Sequence, residues 1–127
     1  MGKLFLAGVG GFIGSTLRYA VTGYAQQLSR SIDFPYGTLA VNLIGCFLIG
    51  FLSQLAETRG VFTAESRTFI FIGILGGFTT FSAFGNETMN LWRDGQNTLA
   101  MANVAANVLL GLGAVWVSRA LAYQIWR

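Results

Sequence analysis

Phe81 and Phe84 stand three residues apart inside the segment GILGGFTTFSAFGNETMN, which lies within a stretch otherwise apolar enough to cross a membrane. Around them are Thr79, Thr80 and Ser82, the adjacent glycines Gly76 and Gly77, and Glu87. A helix that only anchored a chain in lipid would use leucine and valine here. Two phenyl rings at helical spacing are more often core than site, but their hydroxyl-rich neighbourhood allows a second reading. A phenyl ring carries a weakly positive edge, so a pair offered edge-on flanks an anion without holding it as tightly as a full charge would. Conduction needs that compromise between entry and release. Residues three apart lie roughly 60° apart around a helix, which predicts nearly stacked rings.

The double glycine predicts a break in the helix at Gly76-Gly77. Non-helical backbone at membrane depth is tolerated only where it is buried in protein or lines a cavity. Carbonyls freed at the end of a half-helix are hard oxygen ligands suited to an alkali cation. A flexible kink is the alternative.

Three other faces carry polar groups. Gly10, Gly14 and Arg18 recur at spacing four, the first two as a GxxxG pattern for close helix contact. Arg18 falls about two-thirds of the way through its span, where a charge is expensive and marks a functional or structural polar site, unless it snorkels to the interface. Thr38, Asn42 and Gly45 or Cys46 share a face of the next apolar run. Alone, Asn42 reads as interhelical glue. Asn103, Asn107 and Gly111 form a stripe at spacing four, and both asparagine amides carry donors that lipid cannot satisfy. Packing and pore lining fit that stripe equally well. Opposite Asn42, it would make a track of donors for an anion.

These residues must be carried by membrane spans. The chain has 127 residues, 54% hydrophobic and 10% charged, with a mean hydropathy of +0.59. Soluble domains carry about 25% charged residues, so this chain cannot clothe a water-exposed surface. A span needs about 20 apolar residues, and four segments qualify: Leu4 to Tyr24, Tyr36 to Leu55, Thr68 to Trp92 and Thr98 to Ala120. The first resembles a signal peptide in its opening residues but continues as a full-length span with no convincing cleavage site. The connections are short, so residues 1–127 are expected to form one four-helix transmembrane domain.

Composition also excludes chemistry. There is no histidine and only one cysteine, Cys46, in an apolar run. That removes internal disulfides, histidine-ligated haem, ordinary zinc sites and a Ser-His-Asp triad, and Cys46 reads as a small buried hydrophobe. An enzyme is not expected. The net charge of +3 is spread without a basic run, which argues against nucleic acid. With four spans both chain ends share a side, which holds Lys3, Arg59, Arg67, Arg119 and Arg127 against Arg30, Arg93 and, deeper in its helix, Arg18. The plain reading of this weak bias puts both ends in the cytoplasm. The sharper one is that orientation is not fixed and chains pair antiparallel. Four helices enclose little interior, so a small oligomer is expected in either case.

The sequences GGFIGSTLRY in the first span, YGTLAVNLIGCFLIG in the second and GGFTTFSAF in the third, in this order, closely resemble the Fluc (also called CrcB) fluoride channels, and the resemblance covers the whole chain. It implies an all-α integral membrane protein of the bacterial inner membrane, with a break in the third helix. It implies an antiparallel, dual-topology homodimer with two pores, through which fluoride leaves passively down its electrochemical gradient. By resemblance Phe81 and Phe84 are the pore phenylalanines and Asn42 the pore asparagine. Thr80 and Ser82 form the polar track, Glu87 is the third-helix glutamate, and Arg18 is the arginine of the first-helix motif. A structural sodium ion would be held by backbone carbonyls of Gly76 and Thr79 at the dimer centre. Thr38, Asn103 and Asn107 join the expected pore on spacing alone. Where many members have a hydroxyl residue between Ser82 and Phe84, this chain has Ala83. A proton-coupled four-helix exporter of fluoride or another small solute, titrating through Glu87, is the competing reading. A non-transporting assembly subunit is a third.

Overall fold

The computed structural model describes residues 1–127 and is all-helical. Four helices are long and apolar enough to cross a membrane: α1 (Gly2–Ser29), α2 (Tyr36–Arg59), α3 (Ala64–Arg93) and α4 (Asn97–Trp126). Each exceeds its sequence-predicted span by several residues. The apolar runs mark only the lipid-crossing part, while polar helix formers such as Gln26, Gln27 and Glu57 extend the helices into the interfacial zones. At about 1.5 Å per residue, a 28-residue helix is about 42 Å long, against a hydrocarbon core of about 30 Å.

Helix ends follow local chemistry. α2 begins directly after Pro35, which has no N–H to leave unpaired there, and Leu39 N–H donates to the Pro35 carbonyl at 3.2 Å. Its C-terminus closes on Gly60 at φ 60°, the left-handed conformation that glycine adopts without penalty. Thr63 caps α3, its hydroxyl accepting from Ser66 N–H at 3.1 Å.

α1 packs along the first half of α3 and along α2, α2 packs along the second half of α4, and the second half of α3 meets the first half of α4. Only 21 of the 127 residues are buried, and the largest fully buried side chains are Val41, Asn103 and Ser118. Such a core relies on close backbone approach more than on bulky side chains. Gly10 and Gly14 face Gly73, Ile74 and Phe78, and a methyl group on Gly73 would sit 2.8 Å from Cα of Gly10. Gly77 is equally tight, since its methyl would meet the Gly11 carbonyl oxygen at 2.8 Å.

α3 is not uniform. Thr68–Leu75 is π-helical, Gly76–Phe78 returns to α geometry, and Phe81–Arg93 is α-helical again. Between them Thr79 (φ −87°, ψ 160°) and Thr80 (φ −151°, ψ 112°) are extended. The expectation of non-helical backbone at Gly76-Gly77 is therefore corrected. Both glycines are helical, and the extended pair lies two residues later. The glycines serve the close contact with α1, whereas β-branched Thr79 and Thr80 tolerate extended backbone well.

Candidate functional site

Leaving the helix strips Thr80 of its ladder hydrogen bonds, and α2 replaces them. Asn42 accepts from Thr80 N–H at 2.8 Å and donates through its amide nitrogen to the Thr80 carbonyl at 3.1 Å. One side-chain amide thus does for Thr80 what a neighbouring peptide unit would do in a sheet. The Thr80 hydroxyl in turn caps the second half of α3, accepting from Ala83 N–H at 3.1 Å. Thr79 keeps its N–H on Leu75, with its hydroxyl bonded to the same carbonyl at 3.1 Å. The Thr79 carbonyl accepts no hydrogen bond. Gly45 on α2 lies directly against the Thr79 methyl group, leaving no room for a side chain.

The fourth-helix asparagines belong to the same construction. The second N–H of Asn42 goes to Asn107 Oδ1 at 3.0 Å, and Asn107 donates to Asn103 Oδ1 at 3.0 Å and to the Asn103 carbonyl at 2.9 Å. Asn103, 1% exposed, donates to the Thr88 hydroxyl at 2.9 Å. Thr88 completes the row by donating to the Phe84 carbonyl at 2.8 Å. Both amide N–H groups of Asn42 are committed to protein, as are both of Asn107, while Asn103 commits one to Thr88. Thr88 had no place in the sequence reading. Its only sequence signal is a hydroxyl four residues after Phe84, which is indistinguishable from ordinary back-bonding to a helix carbonyl.

The remaining site residues fall into two groups. Thr38, 4% exposed, donates its hydroxyl to Glu87 Oε1 at 2.7 Å, while Glu87 Oε2 is buried without a partner. Phe81 and Phe84 have ring centroids 5.5 Å apart at an interplanar angle of 63°, so they meet edge to face rather than nearly stacked. Phe84 is buried and Phe81 is 82% exposed. Ser82 is exposed, with its hydroxyl 3.4 Å from that of Thr80.

Two open cavities border these groups. The larger, about 790 Å³, is lined by Arg18 and Ser15 of α1, Thr38 of α2, and Thr80, Ala83 and Glu87 of α3. Arg18 forms no ion pair; those present, Arg93–Asp94 and Arg119–Glu57, lie at exposed positions elsewhere. The second cavity, about 360 Å³, is lined by Asn42, Cys46, Gly76, Thr79, Phe81 and Asn107 among others. Thr80 is the one residue that lines both. Cys46 is half-buried and also touches the space at Gly111, so it is less enclosed than expected of a core hydrophobe.

A family model for the CrcB-like protein, Camphor Resistance (CrcB), matches residues 5–119. The chain belongs to this family. A fluoride-specific ion channel FluC of Elusimicrobium minutum is 47% identical over 114 residues, covering 90% of this chain and 88% of that protein. One from Parabacteroides distasonis is 46% identical over 123 residues, with 97% and 94% covered. A third relative, fluoride-specific ion channel FluC 3 of Methanosarcina barkeri, is 42% identical over 125 residues, with 98% and 93% covered. The family resemblance read from the three motifs therefore holds, and the chain is a multi-pass membrane protein with four membrane-capable helices.

Proposed function

We propose that this protein is a fluoride channel that lets fluoride leave the cell passively down its electrochemical gradient, limiting its accumulation in the cytoplasm, and that it resides in a bacterial inner membrane. The relatives' names support the substrate. The observation that carries the reading is Thr80, an extended polar residue at membrane depth that separates two cavities. In this reading an ion crossing from one to the other passes Thr80, with Ser82 and the edge-to-face pair Phe81 and Phe84 beside it. Small anions shed water only where donors replace it. Hydroxyls of Thr80 and Ser82 supply strong donors, and ring edges supply weak ones that do not trap the ion. Arg18 draws anions into the larger cavity, and Thr38 turns its proton toward Glu87. Asn42, with its N–H groups committed, contributes by fixing Thr80, and Asn103 and Asn107 by fixing Asn42.

The working unit in this reading is an antiparallel, dual-topology homodimer. Phe81 is largely uncovered and Gly76 exposed on a chain with few buried residues, which supports a partner over this face. A structural sodium ion fits the same region. The Thr79 carbonyl has no donor, and Thr79 and Gly76 border one cavity, so hard oxygen ligands are present where a second copy would double them. A cation bound there would supply positive charge at the subunit contact, with the carbonyls of Gly76 and Thr79 as its ligands.

The decisive experiment uses purified protein in liposomes loaded with potassium fluoride, with efflux followed by a fluoride electrode after an ionophore for potassium is added. Efflux with the same pH on both sides is expected, falling sharply in Phe81→Ile and Phe84→Ile. No efflux, or efflux that collapses without a pH gradient, overturns the channel reading, the latter in favour of proton-coupled export through Glu87.

A further inference from the structure

The hydrogen bonds from Thr80 through Asn42, Asn107, Asn103 and Thr88 return to the helix they started from, since Thr80 and Thr88 both belong to α3. They form a closed ring across three helices with a single direction. The Thr88 hydroxyl proton is committed to the Phe84 carbonyl, so toward Asn103 the oxygen can only accept. That turns the Asn103 amide nitrogen to Thr88 and its oxygen to Asn107. The same constraint passes through Asn107 and leaves the Asn42 nitrogen, not its oxygen, facing Asn107. Only in that orientation can Asn42 offer an acceptor to Thr80 N–H and a donor to Thr80 C=O together. Reversing any one amide would set donor against donor or acceptor against acceptor around the ring.

We infer that Thr88 and Asn103, neither of which borders either cavity, are positioning residues that set the amide orientation of Asn42 and thereby hold Thr80 as the partition between the cavities. Asn103 is almost fully buried; one amide N–H goes to Thr88 and its oxygen accepts within the ring. Two backbone carbonyls fix the direction, that of Phe84 at Thr88 and that of Asn103 at Asn107, and Thr88 is the anchor at the end of the ring that lies on α3. The inference rests on the channel reading for its effect on flux, but not for its effect on Thr80 itself.

The test compares Thr88→Val, which keeps shape and removes the hydroxyl, with Thr88→Ser, which restores it. In intact wild-type protein the Thr80 amide should be slow to exchange with deuterium, and Thr88→Val should speed that exchange by about tenfold, the scale on which network substitutions shift coupled equilibria. Fluoride efflux should fall by a comparable factor while the elution volume of the purified protein stays unchanged, and Thr88→Ser should recover both. The double variant Thr88→Val with Asn42→Ala should be no slower than Asn42→Ala alone, because both break one ring. Unchanged exchange at Thr80 in Thr88→Val, or fully additive losses in the double variant, overturns the inference. Faster exchange in a protein whose wild type moves no fluoride leaves the ring standing and removes the channel reading instead.

Discussion

Replacing Asn42 by alanine puts the clasp on Thr80 to a quantitative test. The substitution removes three hydrogen bonds at once: two to the Thr80 backbone and one to Asn107 Oδ1. Interhelical side-chain hydrogen bonds in membrane proteins are worth about 0.6 kcal/mol each on average, so the bonds alone amount to about 2 kcal/mol. Thr80 is buried, which leaves its N–H and C=O without water on most sides. An orphaned buried polar group costs about 1–3 kcal/mol. Because Thr80 borders two cavities, some hydration returns, and the low end of that range applies. The expected loss is about 2–4 kcal/mol. Asn42→Asp should cost at least as much: its carboxylate still accepts from Thr80 N–H, but it sets an oxygen against the Thr80 carbonyl and against Asn107 Oδ1, and its negative charge on an anion path should depress fluoride flux further. The chain carries three tryptophans, so unfolding of the purified protein in mixed micelles can be followed by intrinsic fluorescence beside the liposome flux assay. A change below about 0.5 kcal/mol for Asn42→Ala, with flux near wild type, would refute the claim that this amide replaces the lost ladder of α3.

Gly14→Leu should separate α1 from α3, because even a methyl group there would meet the Phe78 backbone nitrogen at 2.9 Å. A cost of about 1–3 kcal/mol is expected, read as a lower midpoint in the same unfolding assay, while Gly113→Leu, where nothing lies within 4 Å, should be close to neutral. Prolonged replacement of sodium by N-methylglucamine should reduce fluoride flux or dimer stability if carbonyls of Gly76 and Thr79 hold a structural ion, and unchanged flux would count against that site. Two copies joined through an added transmembrane helix, which forces opposite orientations, should conduct. A fusion through a plain soluble linker should fail, and activity confined to the latter would sink the antiparallel reading.

The spans were legible because lipid enforces long apolar runs, and short connections left no alternative to helices. The relation of Asn42 to Asn107 was half legible. Spacing put each on a polar stripe, and opposing stripes implied donors facing one another, but spacing cannot say that the donors would be spent on protein. The extended pair was misplaced for a physical reason. Glycine marks permissive backbone, yet Gly77 is needed for contact with Gly11, while Thr80 can leave the helix because a side chain 38 positions earlier supplies its bonds. That compensation is tertiary. Thr88 stayed hidden for the same reason, since its partner Asn103 lies 15 residues away on another helix.

The glycine joint between α1 and α3 has a thermal consequence. Gly10, Gly14, Gly73 and Gly77 meet backbone to backbone, so closing that joint freezes no rotamers, whereas ordering a long side chain costs up to about 2 kcal/mol of entropy at room temperature. An association with little side-chain entropy to lose weakens slowly on warming. Heat should therefore loosen the connections at residues 30–35 and 60–63 well before it parts α1 from α3, and the first motions of the warmed protein should occur at the membrane surface while its midplane stays closed.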